Sequence, residues 1–170
     1  MFLETDRMIL RDFTVSDFED FYEIFSDSEV MKHLEPPFNR NGARRFLVEF
    51  CIERKPKGAY AAVLKETNKV IGYILFKPGD EPEIYEIGFI LNKSYWRRGY
   101  AFEICRCLIS YGFIEMNLHK IFASTEDTEK AVPLMKKLGF QLEGIQKKHT
   151  KTIEGNWCDF YLYAILAEDF

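Results

Sequence analysis

The sequence predicts an α/β protein, a mixed central sheet of about six or seven strands flanked by helices, within one domain over residues 1–170. Three observations carry this. Apolar runs of strand length and of helical period follow each other in the order β-α-α-β-β-β-α-β-α-β-β. In the middle of the chain two apolar runs are joined by Glu66-Thr-Asn-Lys69, a hairpin signal that implies antiparallel pairing. Beyond Leu91 the hydrophobic period changes from strand to helix, and the β-α-β-α stretch that results favours parallel neighbours.

The elements follow in order. Residues 7–13 alternate as a first strand. Thr14 or Ser16 can cap a helix, with Ser16-x-x-Glu19 reading as a capping box, and Phe18, Phe21, Tyr22 and Phe25 then recur at helical spacing. Ser26–Leu34 reads as a further short turn of helix, and Pro36-Pro37 is a break. A second helix over 41–54 places Phe46, Leu47, Phe50 and Cys51 on one face and stops before Pro56. Strands are expected over 59–65, 70–77 and 83–91, the last with Gly88 as a bulge candidate. A long helix is expected over 98–116, a strand over 120–125, and a helix over 129–138 that ends at Gly139. Strands over 140–145 and 159–166 close the chain.

With 170 residues, 47% of them hydrophobic, the chain can bury a real core. Its net charge of −4 argues against nucleic acid as the main partner, since phosphate neutralisation calls for a basic excess. No apolar run approaches membrane-spanning length, and the N-terminus lacks the apolar stretch of a secretory leader, so neither is expected. The four cysteines, Cys51, Cys105, Cys107 and Cys158, read as free thiols of a reducing compartment, and the expected location is cytoplasmic.

Trp96-Arg-Arg-Gly-Tyr-Ala-Phe102 follows a strand and opens a helix. The first amides of a helix have no internal partner and sit at the positive end of the macrodipole, which is a ready site for phosphate. Gly99 permits close approach of a ligand to the backbone, and Ala101 keeps the next turn low. Arg97 and Arg98 oppose the macrodipole unless an anion compensates them. The bland alternative is a helix start with two solvated arginines.

This turn, read as Trp96-x-x-Gly99-x-Ala101, resembles the acetyl-CoA motif of the GNAT acetyltransferase superfamily, and the Tyr95-Trp96 pair ahead of it is similar to the ribosomal-protein N-acetyltransferase-like branch. Arg7-Met-Ile-Leu-Arg11, Gly72-Tyr-Ile74, Glu86-Ile-Gly-Phe-Ile90, Leu138-Gly-Phe140 and Glu143-Gly144 resemble further segments of that branch, in its order and spacing. The resemblance covers about residues 7–166.

What it implies is specific. The pantetheine arm of acetyl-CoA would lie as an added strand along Phe89, Ile90 and Leu91. The pyrophosphate would sit on the amides of Arg97, Arg98, Gly99, Tyr100, Ala101 and Phe102. An amide near the Gly88 bulge would polarise the thioester carbonyl, and an amine would attack directly. An α-amine has a pKa of about 7.8 against about 10.4 for a lysine, so it is far more often neutral and the easier acceptor. Glu86 is the candidate base, with a cross-strand ion pair as its alternative role, and Tyr85 points to the opposite, core face. The family's usual Asn, ten residues before Gly139, falls on Glu129, which is carried as a cofactor-side residue. The usual Ser and Tyr, both proton donors to the thiolate in some members, fall on Ala131 and Met135, so no donor stands in the expected places.

The remaining candidates read as structural. His33, His119 and His149 are far apart in sequence, and no metal ligand set is read. Neither a serine-hydrolase elbow nor a phosphate-binding P-loop occurs. Lys147–Lys151 is a basic run expected at the tip between the last strands, and the Phe18/Phe21/Tyr22/Phe25 stripe is expected in the core. The expected function is an acetyl-CoA-dependent N-acetyltransferase acting on a peptide α-amine or a small amine, as monomer or homodimer. A polyamine or aminoglycoside acetyltransferase is the alternative if Glu35, Glu49, Glu53 and Glu83 line an acidic cleft. A non-catalytic acyl-CoA sensor is the alternative outside enzymes.

Overall fold

The computed structural model describes all of residues 1–170. Its strands are β1 (Phe2–Glu4), β2 (Met8–Asp12), β3 (Ala59–Leu64), β4 (Lys69–Pro78), β5 (Ile84–Leu91), β6 (Lys120–Thr125), β7 (Gln141–Lys151) and β8 (Trp157–Leu166). They form one sheet in the order β1-β2-β3-β4-β5-β6-β8-β7. Every neighbouring pair is antiparallel except β5 and β6. The eighth strand, absent from the sequence reading, is Phe2–Glu4: too short to show a period, it is recruited by the edge of β2, with Leu3 opposite Leu10.

The helices are α1 (Phe18–Phe25), α2 (Arg40–Arg45), α3 (Tyr100–Ile114) and α4 (Ala131–Lys137). One sheet face carries α1 and α2. Phe13, Phe18, Phe21, Ile24 and Phe25 bury there against Ala59, Ala61, Val63, Val70 and Tyr73. Phe21 and Phe25 stack with ring centroids 4.3 Å apart, and Phe13 meets Phe21 edge-on at 5.5 Å. The aromatic stripe is therefore core, with Tyr22 as its half-buried outer member. The opposite face carries α3 and α4: Ile104, Leu108, Ile109 and Phe113 bury with Val132, Met135 and Phe76. Gly112 permits this packing, since a Cβ there would stand 3.1 Å from Ile121 and 3.2 Å from Phe76.

Several expectations change. Of the two cap candidates Thr14 holds the position, with Asp17 rather than Glu19 as its box partner: Asp17 accepts from the backbone N–H of Thr14 at 2.8 Å and is gripped by both terminal nitrogens of Arg11, each at 2.8 Å. The second helix is α-helical only to Arg45 and continues as a π-helix over Phe46–Glu53, which turns Leu47 and Cys51 into the core. Residues 26–34 form turns rather than helix. Gly88 is not a bulge: the β4–β5 register runs unbroken from Gly72↔Leu91 to Pro78↔Tyr85, and the missing side chain makes room for Leu75, whose Cβ would lie 3.3 Å away. Lys147–Lys151 belongs to β7 rather than to the hairpin tip. A register shift with Lys148 at φ 50° accommodates it, and Asp159 accepts from both the Lys147 ammonium and the Lys148 N–H. No helix is long and apolar enough to cross a membrane.

Candidate active site

The site begins where the sheet opens. β5 and β6 pair only through Ile84–Glu86 with Lys120–Phe122, and beyond them the strands diverge. The rest of β5 stays bonded to β4, while the rest of β6 stays bonded to β8. Asn92 donates its N–H to Ile71 of β4 at 2.8 Å, so by alternation Ile90 spends its backbone groups on β4 and Phe89 and Leu91 turn theirs to the gap. Of the three residues expected along the pantetheine, two thus present free strand edge and Ile90 lends only its side chain. The Leu91 carbonyl is closed off by the Trp96 indole N–H at 2.8 Å, which holds the following turn against the strand end.

That turn has the geometry of an anion cradle. Arg97 (φ 60°) and Gly99 (φ 83°) both adopt left-handed backbone, and Gly99 stands at the N-cap of α3 without any side-chain capping bond. Alternating hand in successive residues turns their N–H groups inward. The first helical hydrogen bond is Glu103 N–H to Gly99 at 3.0 Å, leaving the amides of Tyr100, Ala101 and Phe102 open. Arg97 and Arg98 are exposed and enter no ion pair; Arg98 lies over the Tyr95 ring at 5.7 Å.

Sequence reasoning missed the residue that fixes this turn. Arg7, in the β1–β2 turn, donates to the Arg98 carbonyl at 3.1 Å and packs over the Tyr100 ring at 4.3 Å. It forks onto Glu103 through Nε at 2.7 Å and Nη2 at 2.6 Å. Glu103 also accepts from the Arg7 N–H at 2.9 Å and the Thr5 hydroxyl at 2.6 Å. Desolvation works against the Glu103 carboxylate, but the bonds from Thr5 and Arg7 outweigh it and hold its pKa below the ordinary range. The available signal was an acid in the first turn of a helix whose flanking residues are basic.

Glu86 stands opposite Lys77 on the α1/α2 face, its Oε2 2.9 Å from the ammonium and its side chain 23% exposed. Lys77 also lines a cavity of about 210 Å³ with Phe50, Arg54, Lys55, Tyr73 and Leu75. None of Glu35, Glu49, Glu53 and Glu83 lines it. Tyr85 is on the other face, packed on Phe76 at 4.8 Å. Glu129 is exposed on the far lip of the gap, in a turn where Asp127 accepts from its N–H and from that of Lys130, both at 2.9 Å. Lys130 covers the Trp96 ring at 4.0 Å.

One further group was not singled out. Glu126, the first residue after β6, has a side chain only 8% exposed. Its Oε1 meets His33 Nδ1 at 3.2 Å, and its Oε2 accepts from Cys158 Sγ at 3.1 Å. Its sequence neighbours are exposed or half-buried, so nothing in the local pattern marks it as inward-facing.

Residues 7–141 match a family model described as an acetyltransferase (GNAT) domain. The chain is 36% identical over 173 residues to an uncharacterized N-acetyltransferase, YnaD, of Bacillus subtilis (strain 168), covering 100% of this chain and 99% of that protein. The crystal structure of an acetyltransferase (GNAT family) from Bacillus anthracis is similar with a TM-score of 0.89 at 33% identity, covering 99% of each chain. The spermidine N-acetyltransferase from Vibrio cholerae, solved in complex with CoA and spermine, shares the fold with a TM-score of 0.83 at 19% identity, over 97% of this chain and 98% of that one.

Proposed function

The chain belongs to the GNAT acetyltransferase family, and from that premise we propose that it transfers the acetyl group of acetyl-CoA directly to a primary amine, with a peptide α-amine favoured. The observation that carries this reading is the gap between β5 and β6 opening beside the uncapped N-terminus of α3. The residues present fit a CoA thioester. Phe89 and Leu91 offer strand edge to an amide-bearing arm, and the turn from Arg97 to Phe102 offers open amides and two unpaired cations to a pyrophosphate. Glu129 would flank the ligand from the opposite lip.

The acceptor would approach over the α1/α2 face, where Glu86, Gly88 and Ile90 line the β5 side. Glu86 is retained as a proton acceptor for the amine, although taking a proton would cost it the ion pair with Lys77. The charged side chains around the neighbouring cavity are Arg54, Lys55 and Lys77. A basic lining repels a polyamine and suits an acceptor with its own carboxylate or carbonyl groups, as a peptide has. A polyamine acceptor is the second reading, since the Vibrio cholerae relative of the same fold acts on spermidine.

Thermal melts with acetyl-CoA, CoA and ATP in parallel test the binding step. Ligand at 100 times its dissociation constant stabilises by about 2.7 kcal/mol, a shift of roughly 5–10 °C for a chain of this size. A shift with both CoA species but not ATP is expected. Thiol release with an alanyl peptide and with spermidine then separates the acceptor classes. No shift at millimolar acetyl-CoA overturns the reading, and a shift without turnover of any amine favours an acyl-CoA sensor.

A further inference from the structure

Burying a carboxylate is costly unless its oxygens find partners. Glu126 could have turned to solvent, being a loop residue at a strand end. Instead it is the most buried carboxylate beside the gap, held from two directions by His33 of the α1–α2 loop and Cys158 of β8. Strand alternation places this group on the acceptor face. Ile121 and Ala123 bury with α3 and α4, so Phe122 and Ser124 face the other way, and Glu126 continues that side. It is also the face of Glu86.

The pair has a defined chemistry. A carboxylate only accepts hydrogen bonds, so the His33 nitrogen facing it, Nδ1, is the one that donates, which leaves Nε2 as the nitrogen whose lone pair can take a proton. That nitrogen has no partner in the protein, and the His33 side chain is 30% exposed. Three of the other charges near the mouth pair among themselves and with Lys130: Glu29 meets Lys93 at 3.1 Å and Lys130 at 4.0 Å, and Lys93 also meets Asp27 at 3.6 Å. The imidazole is tied to a buried carboxylate, an arrangement that fixes the ring and orients a base.

We infer that His33, oriented by Glu126, is a second proton acceptor for the attacking amine, the one that works while Lys77 holds Glu86. This rests on the proposed acetyl transfer. The ammonium gives one proton to Nε2 of His33, and the freed nitrogen pair forms the C–N bond as the C–S bond breaks with its electrons on sulfur. The nitrogen sheds its second proton as sulfur gains one, so one proton is released overall, and it leaves through His33. Glu126 is a positioning residue in this scheme, since it acts only through the ring.

The test uses the full chain, acetyl-CoA and an alanyl peptide. His33→Gln should lower kcat by 100-fold or more, in the range of a lost general base, while the melt shift with acetyl-CoA stays that of the wild type. Glu126→Gln should cost about tenfold, and Glu86→Gln less than His33→Gln. Imidazole in the buffer should restore at least a tenth of the activity of His33→Ala, which a merely structural role would not allow. In the ligand-free protein, ¹⁵N NMR should find His33 as the Nδ1–H tautomer, and that preference should vanish in Glu126→Gln. Undiminished turnover by His33→Gln, or Nε2–H as the wild-type tautomer, overturns this assignment alone. A wild type that binds acetyl-CoA yet acetylates no amine overturns the proposed function and the assignment with it.

Discussion

Replacing Glu103 by Gln probes the link between the β1–β2 turn and the ligand-facing start of α3. The wild-type carboxylate collects bonds from Thr5, the Arg7 backbone and two guanidinium nitrogens of Arg7. Glutamine keeps one accepting oxygen for Thr5 and the Arg7 N–H but turns an NH₂ group toward the guanidinium. Two charge-assisted bonds are lost, each worth about 1.5–3 kcal/mol when shielded. Arg7 is 45% exposed, so solvent screening reduces the total to about 2 kcal/mol. For a chain of this length that is a fall in Tm of roughly 4–8 °C. The effect should depend on pH. The folded-state pKa of Glu103 lies below its unfolded value of about 4.3, so its contribution is full above that value. It disappears as pH falls through the depressed folded-state pKa. Calorimetry of both proteins between pH 7 and pH 3 should show the Tm difference shrink toward zero at the acid end. A difference that stays constant over that range would falsify the account of Glu103 as a bonded anion.

Three more outcomes are expected. Gly72→Ala places a Cβ 2.3 Å from Leu91 and 3.0 Å from the Ile90 carbonyl, so overpacking of about 1–3 kcal/mol should appear as a lower denaturant midpoint. Gly99→Ala meets only the flexible end of Arg7 at 3.5 Å, so its cost is about 1–2 kcal/mol from the left-handed backbone; isothermal titration should show CoA affinity falling by tenfold or more, beyond what that loss explains. Burial pushes the thiols of Cys51 and Cys105 up to about 12, so iodoacetamide should label at most the two half-buried cysteines, Cys107 and Cys158, of native protein, and all four only after unfolding. Rapid labelling of Cys105 in the folded state would contradict the packing of α3.

The parts of the fold that were legible in the sequence are those where one local pattern decides the outcome. The apolar runs of β3, β4 and β5 and their hairpin signal needed no tertiary information, and the change of period after Leu91 announced α3. The turn at Gly99 was legible because positive φ and a missing side chain leave a glycine signature. What could not be read depends on distant partners. Phe2–Glu4 becomes a strand only because β2 offers an edge. Arg7 reaches Glu103 across 96 positions of chain, and His33 reaches Glu126 across 93. The π-helical turn at Phe46–Glu53 and the bulge that absorbs Lys148 answer to packing and to Asp159, neither of which any nearby period encodes.

The divergence of β5 from β6 has a mechanical side. Three residue pairs join the two halves of the sheet by backbone at that seam, so the vertex at Glu86 and Phe122 acts as a fulcrum. An extended arm lodged between the diverging edges would serve as a removable rung. Its amides would restore the missing ladder and stiffen both halves together. Hydrogen exchange should register this as slowed exchange at Phe89 and along β6 at the same ligand concentration, one wedge setting the compliance of the whole sheet.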